Sequence, residues 1–238
     1  MTRATGAVRG GTYRGASADE RRAQRRRRLL DAALEIVGTQ GWSSATVRGI
    51  CELAKVGPRF FYESFADTDE LLGALHDELL DTALRQSLNA MGGAPAEIRA
   101  RTEVSFHAMI SYLTDDPRRA RVLFSEAYGS ETLMRRRFAA MQAIAATVLD
   151  ASRELLVLPG QYERVLNAVS LLVTGGVTEL VLGWLAGGLA LDRDELITIS
   201  VEFALTVGAA VDVMTRRICP SGSPRTTSQR ARSGEPRH

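Results

Sequence analysis

The sequence predicts an all-α chain: a small N-terminal three-helix domain containing a helix-turn-helix, followed by a larger all-helical body. Three observations predict it. Apolar residues recur at helical spacing along most of the chain, with very little strand-like alternation. Two capping-box sequences, Ser17-Ala-Asp-Glu20 and Asp67-Thr-Asp-Glu70, mark helix starts. Residues 46–65 hold two short helical stretches separated by a three-residue turn.

The elements follow in order. The first helix starts near Ala18, carries Leu30, Ala33, Leu34 and Val37 as an apolar stripe, and stops at Gly41. Thr46 caps a second helix, Val47–Ala54, with Val47, Ile50 and Leu53 expected to face inward. Lys55-Val56-Gly57 is a turn, and Pro58 opens the third helix, where its missing N–H costs nothing. A long fourth helix, Thr68–Met91, carries Leu71, Leu72, Leu75, Leu79 and Leu80. Gly92-Gly93-Ala94-Pro95 breaks the chain, and helices are expected over 96–114, 117–128, 131–157, 161–187 and 193–216. The implied organisation is a disordered basic arm (1–17), the helix-turn-helix domain (18–66), a connecting helix (67–91), a helical body (92–217) and a disordered basic tail (218–238).

Composition narrows the function. The formal net charge of +2 hides a segregation: residues 1–65 carry +6, residues 66–215 carry −9, and residues 216–238 carry +5. A basic front on an acidic body suits a nucleic-acid-binding module attached to something else. Cys51 and Cys219 make no disulfide framework, and the first sixteen residues lack the apolar region of a secretory signal. His76, His107 and His238 have no second ligand at metal spacing, so neither metal nor cofactor is expected. No nucleophile–base pair, paired carboxylates or glycine-rich phosphate loop is present, which argues against an enzyme. The stretch Val165–Leu191 is apolar enough to consider as a membrane span. Glu179 near its centre, costing about 2.5–3.5 kcal/mol at mid-bilayer, favours a buried or subunit-interface helix instead.

The spacing within 46–65 is that of a motif whose second helix enters the DNA major groove while the first braces it. Val56, Phe61 and Phe65 are expected to pack inward on Ile50 and Leu53, leaving Pro58, Arg59 and Phe60 outward. The outward helix N-terminus suits phosphate approach. Arg59 suits guanine, Phe60 a thymine methyl, and Tyr62 a phosphate. Two adjacent aromatics leave the phase open, so Phe60 inward with Phe61 outward is the alternative. The arginines at 21–28 read as an electrostatic attraction to DNA or as a solvated helix face.

Residues 24–72 resemble the DNA-binding domain of the TetR/AcrR family of bacterial transcriptional regulators. The resemblance rests on Leu30-Asp31-Ala32-Ala33, Gly41-Trp42, Thr46-Val47-Arg48, Ala54-Lys55-Val56, Phe61-Tyr62, Phe65 and Asp69-Glu70-Leu71. It implies nine or ten helices, a homodimer, and an all-helical C-terminal ligand-binding and dimerisation domain whose occupancy releases DNA. Helices Val165–Leu185 and Asp194–Met214 match the family's dimer-forming pair in position and character. Four departures stand out: Gly57 in place of a capping Ser, Lys55 in place of a turn Gly, Ser64 in place of His or Tyr, and Thr68 in place of Lys. The implied DNA-binding set is Thr46, Arg48, Lys55, Gly57, Pro58, Arg59, Phe60, Tyr62 and Ser64.

In the body, Phe106, His107, Tyr112, Phe124, Tyr128, Met141, Glu179 and Trp184 are the candidate ligand residues, being aromatic or polar groups on apolar helices. The function expected is a cytoplasmic homodimeric transcriptional regulator: a repressor released from a palindromic double-stranded DNA operator by a small-molecule effector, with no membrane partner. A ligand-independent architectural DNA-binding protein is the first alternative. A helical small-molecule-binding protein or enzyme is the second.

Overall fold

The computed structural model describes residues 17–125, 131–153 and 160–218, and every regular element among them is helical. Ten α-helices follow in order: α1 Ala18–Gln40, α2 Val47–Ala54, α3 Pro58–Tyr62, α4 Thr68–Gly92, α5 Ile98–Asp115, α6 Pro117–Ala120, α7 Glu131–Arg153, α8 Gln161–Leu185, α9 Arg193–Ala209 and α10 Val211–Ile218. The expected basic tail and nearly all of the arm lie outside the described residues.

Local chemistry sets the boundaries. Ser17 and Glu20 form a reciprocal capping box at α1, and Gly41 stops that helix at φ 89°. Asp67 accepts the Glu70 amide at 2.8 Å to start α4, while Glu70 reaches back to the Ala66 amide rather than to that of Asp67. Asp192 and Glu195 close a second full capping box at α9, one the sequence reading did not single out. The single helix expected over 117–128 is instead the one-turn α6 followed by a π-helical turn, Arg121–Ser125. That expected over 193–216 is broken at Ala210, where α9 and α10 meet at 41°.

The core unites the two halves. One apolar cluster runs from Leu29, Leu30 and Ala33 of α1 through Ile50, Phe61 and Phe65 to Leu71, Leu72 and Leu75 of α4. It continues without a break into Tyr112, Leu113, Leu123 and Phe124. Leu53, expected inward, is 50% exposed, because Cys51 and Ala54 fill the buried side of α2 beside Ile50.

Helices α4 and α5 pair antiparallel, with the buried Ser87 and Ser105 hydroxyls 2.6 Å apart. Helix α9 runs antiparallel to α5, held by Arg99–Glu202 at 2.5 Å and Arg193–Asp115 at 2.6 Å. Helix α7 lies along α8 through Arg137–Glu179 and the packing of Met141 beside Gly175. Arg118 on α6 reaches Glu35 on α1 and pairs with Asp116 at 2.7 Å. Its side chain lies so close to Gly38 that a Cβ there would collide with it.

Candidate nucleic-acid interface and ligand cavity

Several local devices build the helix-turn-helix. Thr46 Oγ1 accepts the Gly49 amide at 3.1 Å and starts α2. Lys55 ends it in the left-handed conformation, φ 52° and ψ 46°, and is the one non-glycine residue at positive φ among those described. Such a backbone costs an L-residue roughly 1–2 kcal/mol. Arg28 of α1 offsets that cost: its Nη2 donates to the carbonyl of Lys55 at 2.8 Å and also to that of Ala54. Gly57 caps α3 with no side-chain bond, and Pro58 supplies the first helical residue.

Phe61 is fully buried against Phe65, their ring centres 5.9 Å apart, while Phe60 stays 38% exposed. This fixes the helical phase the sequence left open. Of the DNA-binding set, Thr46, Arg48, Lys55, Gly57, Pro58, Arg59, Phe60 and Tyr62 are exposed and Ser64 is half-buried. Arg59 extends into solvent with its Nε 3.5 Å from Glu63, and Arg48 pairs with Glu52 at 2.8 Å. Ser64 donates its hydroxyl to the Phe60 carbonyl at 3.3 Å.

The arginine run does more than charge this surface. Arg22 donates to the Glu63 carbonyl at 2.7 Å, and Arg25 lies over the Phe60 ring at 4.4 Å. Arg26 covers Phe65 at 5.0 Å, and Arg27 pairs with Asp31 and Glu78. Arg22 and Arg25 thus hold α3 to α1, Arg27 ties α1 to α4, and Arg28 braces the turn. Sequence reading missed that role because nothing in the run itself says which guanidinium reaches a carbonyl.

The body holds a cavity of about 450 Å³ between α4, α5, α7, α8 and α9. Phe106 and Phe124 of the candidate ligand residues line it. The others are placed elsewhere among the described residues. His107 is exposed; Tyr112 is buried beneath the Arg119 guanidinium, 4.4 Å above its ring. Met141 packs beside Gly175, Glu179 is exposed and pairs with Arg137, and Trp184 donates its indole N–H to the Leu191 carbonyl at 2.7 Å. Tyr128 lies outside the described residues. The wall instead includes Ser87, Arg101, Thr102, Ser105, Thr174 and Thr178, set among apolar side chains. Arg101, Thr102 and Ser105, about one turn apart on the face of α5 that also carries Phe106 and Met109, were the available signal.

Among the described residues, no group of three or more His, Cys, Asp or Glu is arranged to hold a metal. One helix, Tyr162–Leu185, has the length and mean hydropathy (1.8) of a membrane span, and 28% of that window is buried within the protein.

A capped first helix, a left-handed turn and an exposed second helix on a basic surface together define a helix-turn-helix DNA-binding domain. Residues 29–75 match the pattern of the bacterial regulatory proteins, tetR family. The chain carries the DNA-binding domain of that family. No curated protein matches the chain significantly. Solved structures share its fold: a TetR family transcription regulator from Marinobacter aquaeolei VT8 is 17% identical, with 79% of this chain and 97% of that one covered at a TM-score of 0.56. The fatty acid degradation regulator FadR from Bacillus halodurans is 15% identical, with 79% and 94% covered and a TM-score of 0.58. A TetR-like transcriptional regulator from Rhodococcus sp. RHA1 is 14% identical, with 78% and 96% covered and a TM-score of 0.60.

Proposed function

We propose that the protein is a cytoplasmic homodimeric repressor that leaves a palindromic operator when a small molecule fills the cavity of its body. One observation carries this reading: a roomy, mostly apolar cavity is lined in part by Phe124, on the same short segment whose Arg118 and Arg121 hold α1 of the DNA-binding domain. A ligand that favours one packing of that segment shifts the population of DNA-competent dimers, by no more than its differential affinity. The nine exposed or half-exposed residues from Thr46 to Ser64 are the proposed contacts, with Arg59 reading a base edge.

The second copy covers the outer face of α8 and α9. Leu172 is 69% exposed on α8, Ile199 and Phe203 are exposed on α9, and the Phe203 ring lies over Gly176. An isolated chain leaves this apolar strip in water, which pairing removes. Dimerisation sets two recognition helices in successive major grooves, about 34–36 Å apart. The architectural alternative needs no space in the body, and a cavity of about 450 Å³ weighs against it. Protection footprinting on the DNA flanking the protein's own gene tests the reading. Two protected, symmetry-related half-sites are expected, and no protection at moderate salt overturns it.

A further inference from the structure

Among the described residues, the buried serine and threonine hydroxyls are hydrogen-bonded within the protein, with two exceptions. Thr114, Ser200 and Thr215 each donate at 2.8 Å to the carbonyl four residues back. Ser87 and Ser105 bond to each other and to the Ser105 carbonyl, which places both protons. On the cavity wall, Thr102 and Thr147 likewise donate to the carbonyls of Ile98 and Ala143. Thr174 and Thr178 of α8 differ. They are 9% and 7% exposed, and neither hydroxyl has a hydrogen-bond partner among the described residues. Both line the cavity, and neither oxygen is sealed off by protein atoms, so each faces the open space.

An unpaired hydroxyl in an apolar surround costs free energy. A helical threonine avoids that cost by turning back onto its own helix, as Thr102 and Thr147 do. Residues four apart share one helix face, with Cβ atoms about 5–6 Å apart, so a single oxygen between Thr174 and Thr178 can accept from both. The rest of the wall decides the charge of the molecule that brings that oxygen. No acidic side chain is among the described lining residues, so a buried cation finds no counter-charge. Arg101, the one charged side chain among them, already has a partner, so a buried anion has to compete with it. The remainder is mostly apolar, with Val173, Val177 and Val181 on α8 and Phe106 and Met109 on α5. A carbonyl oxygen accepts two hydrogen bonds through its lone pairs and brings no proton of its own to satisfy.

We infer that the cavity takes an uncharged, mostly apolar molecule whose carbonyl oxygen sits between Thr174 and Thr178. The inference rests on the ligand-controlled reading above and narrows it to one chemical class. The polar anchor is then on α8, whose outer face carries Leu172 of the proposed dimer strip, so ligand and second copy meet the same helix.

Calorimetric titration of the full-length protein with butyrophenone, butylbenzene, 4-phenylbutyrate and 4-phenylbutylammonium tests it. All four carry a phenyl ring and a four-carbon chain; they differ in having a neutral carbonyl, no polar group, an anionic end or a cationic end. The wild type is expected to bind butyrophenone at least about tenfold more tightly than either charged probe. In the double variant Thr174→Val/Thr178→Val, butyrophenone is expected to bind about tenfold more weakly, while butylbenzene binds as before. A charged probe that matches butyrophenone in the wild type, no binding of butyrophenone, or an unchanged butyrophenone affinity in the variant overturns the inference. The wild-type comparison stands even where the variant folds poorly. Footprinting without ligand reads the DNA-binding function separately, so a failure of this inference is distinguishable from a failure of that one.

Discussion

Lys55 and Arg28 show how one backbone angle shapes the reading surface. The left-handed Lys55 is tolerated because Arg28 binds the two carbonyls at the end of α2. Arg28→Ala should therefore destabilise the fold by about 2 kcal/mol, seen as a lower urea midpoint. Lys55→Gly should stabilise it by about 1 kcal/mol yet weaken DNA binding by removing an exposed ammonium. Arg59 is expected to act differently: Arg59→Ala should cost about 1–3 kcal/mol at one base pair and relax selectivity there. Equal losses on operator and random DNA would identify it as a phosphate contact. His76 is 4% exposed on α4, with Nδ1 3.7 Å from Asp77, Arg136 facing it from α7, and Leu123 of the π-helical turn beside it. Burial pushes its pKa below the ordinary 6.5, outweighing the opposing pull of Asp77. The fold thus keeps it neutral where the unfolded chain takes up a proton, so stability falls as pH drops below 6.5. Thermal melts should show that loss, and His76→Gln should flatten it.

Among the elements, α1 and α4 are where the body grips the DNA-binding domain. Both contacts pass over a glycine, but the two are not equivalent. A Cβ at Gly38 meets Cβ, Cγ and the backbone of Arg118, whereas one at Gly73 meets only the mobile guanidinium of Arg136. Alanine gains up to about 1 kcal/mol of helix propensity at either site, but overpacking costs about 1–3 kcal/mol. Gly38→Ala should therefore lower the urea midpoint, while Gly73→Ala should leave it nearly unchanged. On α8, Leu172→Glu should shift the protein toward monomer in sedimentation without unfolding it.

The legible parts of these elements were those fixed by local chemistry. Ser17, Thr46, Gly57-Pro58 and Asp67 announced their helix ends, and α2 was readable to the residue. The π-helical turn after Ala120 and the break at Ala210 depend on packing against other helices, so no local signal marked them. The cavity was least legible. Conspicuous residues such as His107 and Trp184 drew attention, while the wall is built of ordinary apolar groups and a few hydroxyls whose convergence needs all five helices.

Across the whole molecule, charge and shape serve the same end. The front carries +6 and the following 150 residues −9, so the duplex attracts one end and repels the other during encounter. The C-terminal segment from residue 216 adds +5, and deletion of residues 219–238 should lower affinity for any duplex and flatten its salt dependence. Unchanged affinity and slope would make that segment irrelevant to binding. If α3 reads sequence within a dimer, the footprinted site should be bound in preference to any other duplex of the same length and charge. Fluorescence anisotropy should measure the protein's affinity for that site and for a scrambled duplex across a salt series. Both duplexes should show a steep salt dependence, with the operator bound at least about a thousandfold more tightly near physiological salt. Equal affinity for the two duplexes at every salt concentration would contradict sequence reading by α3.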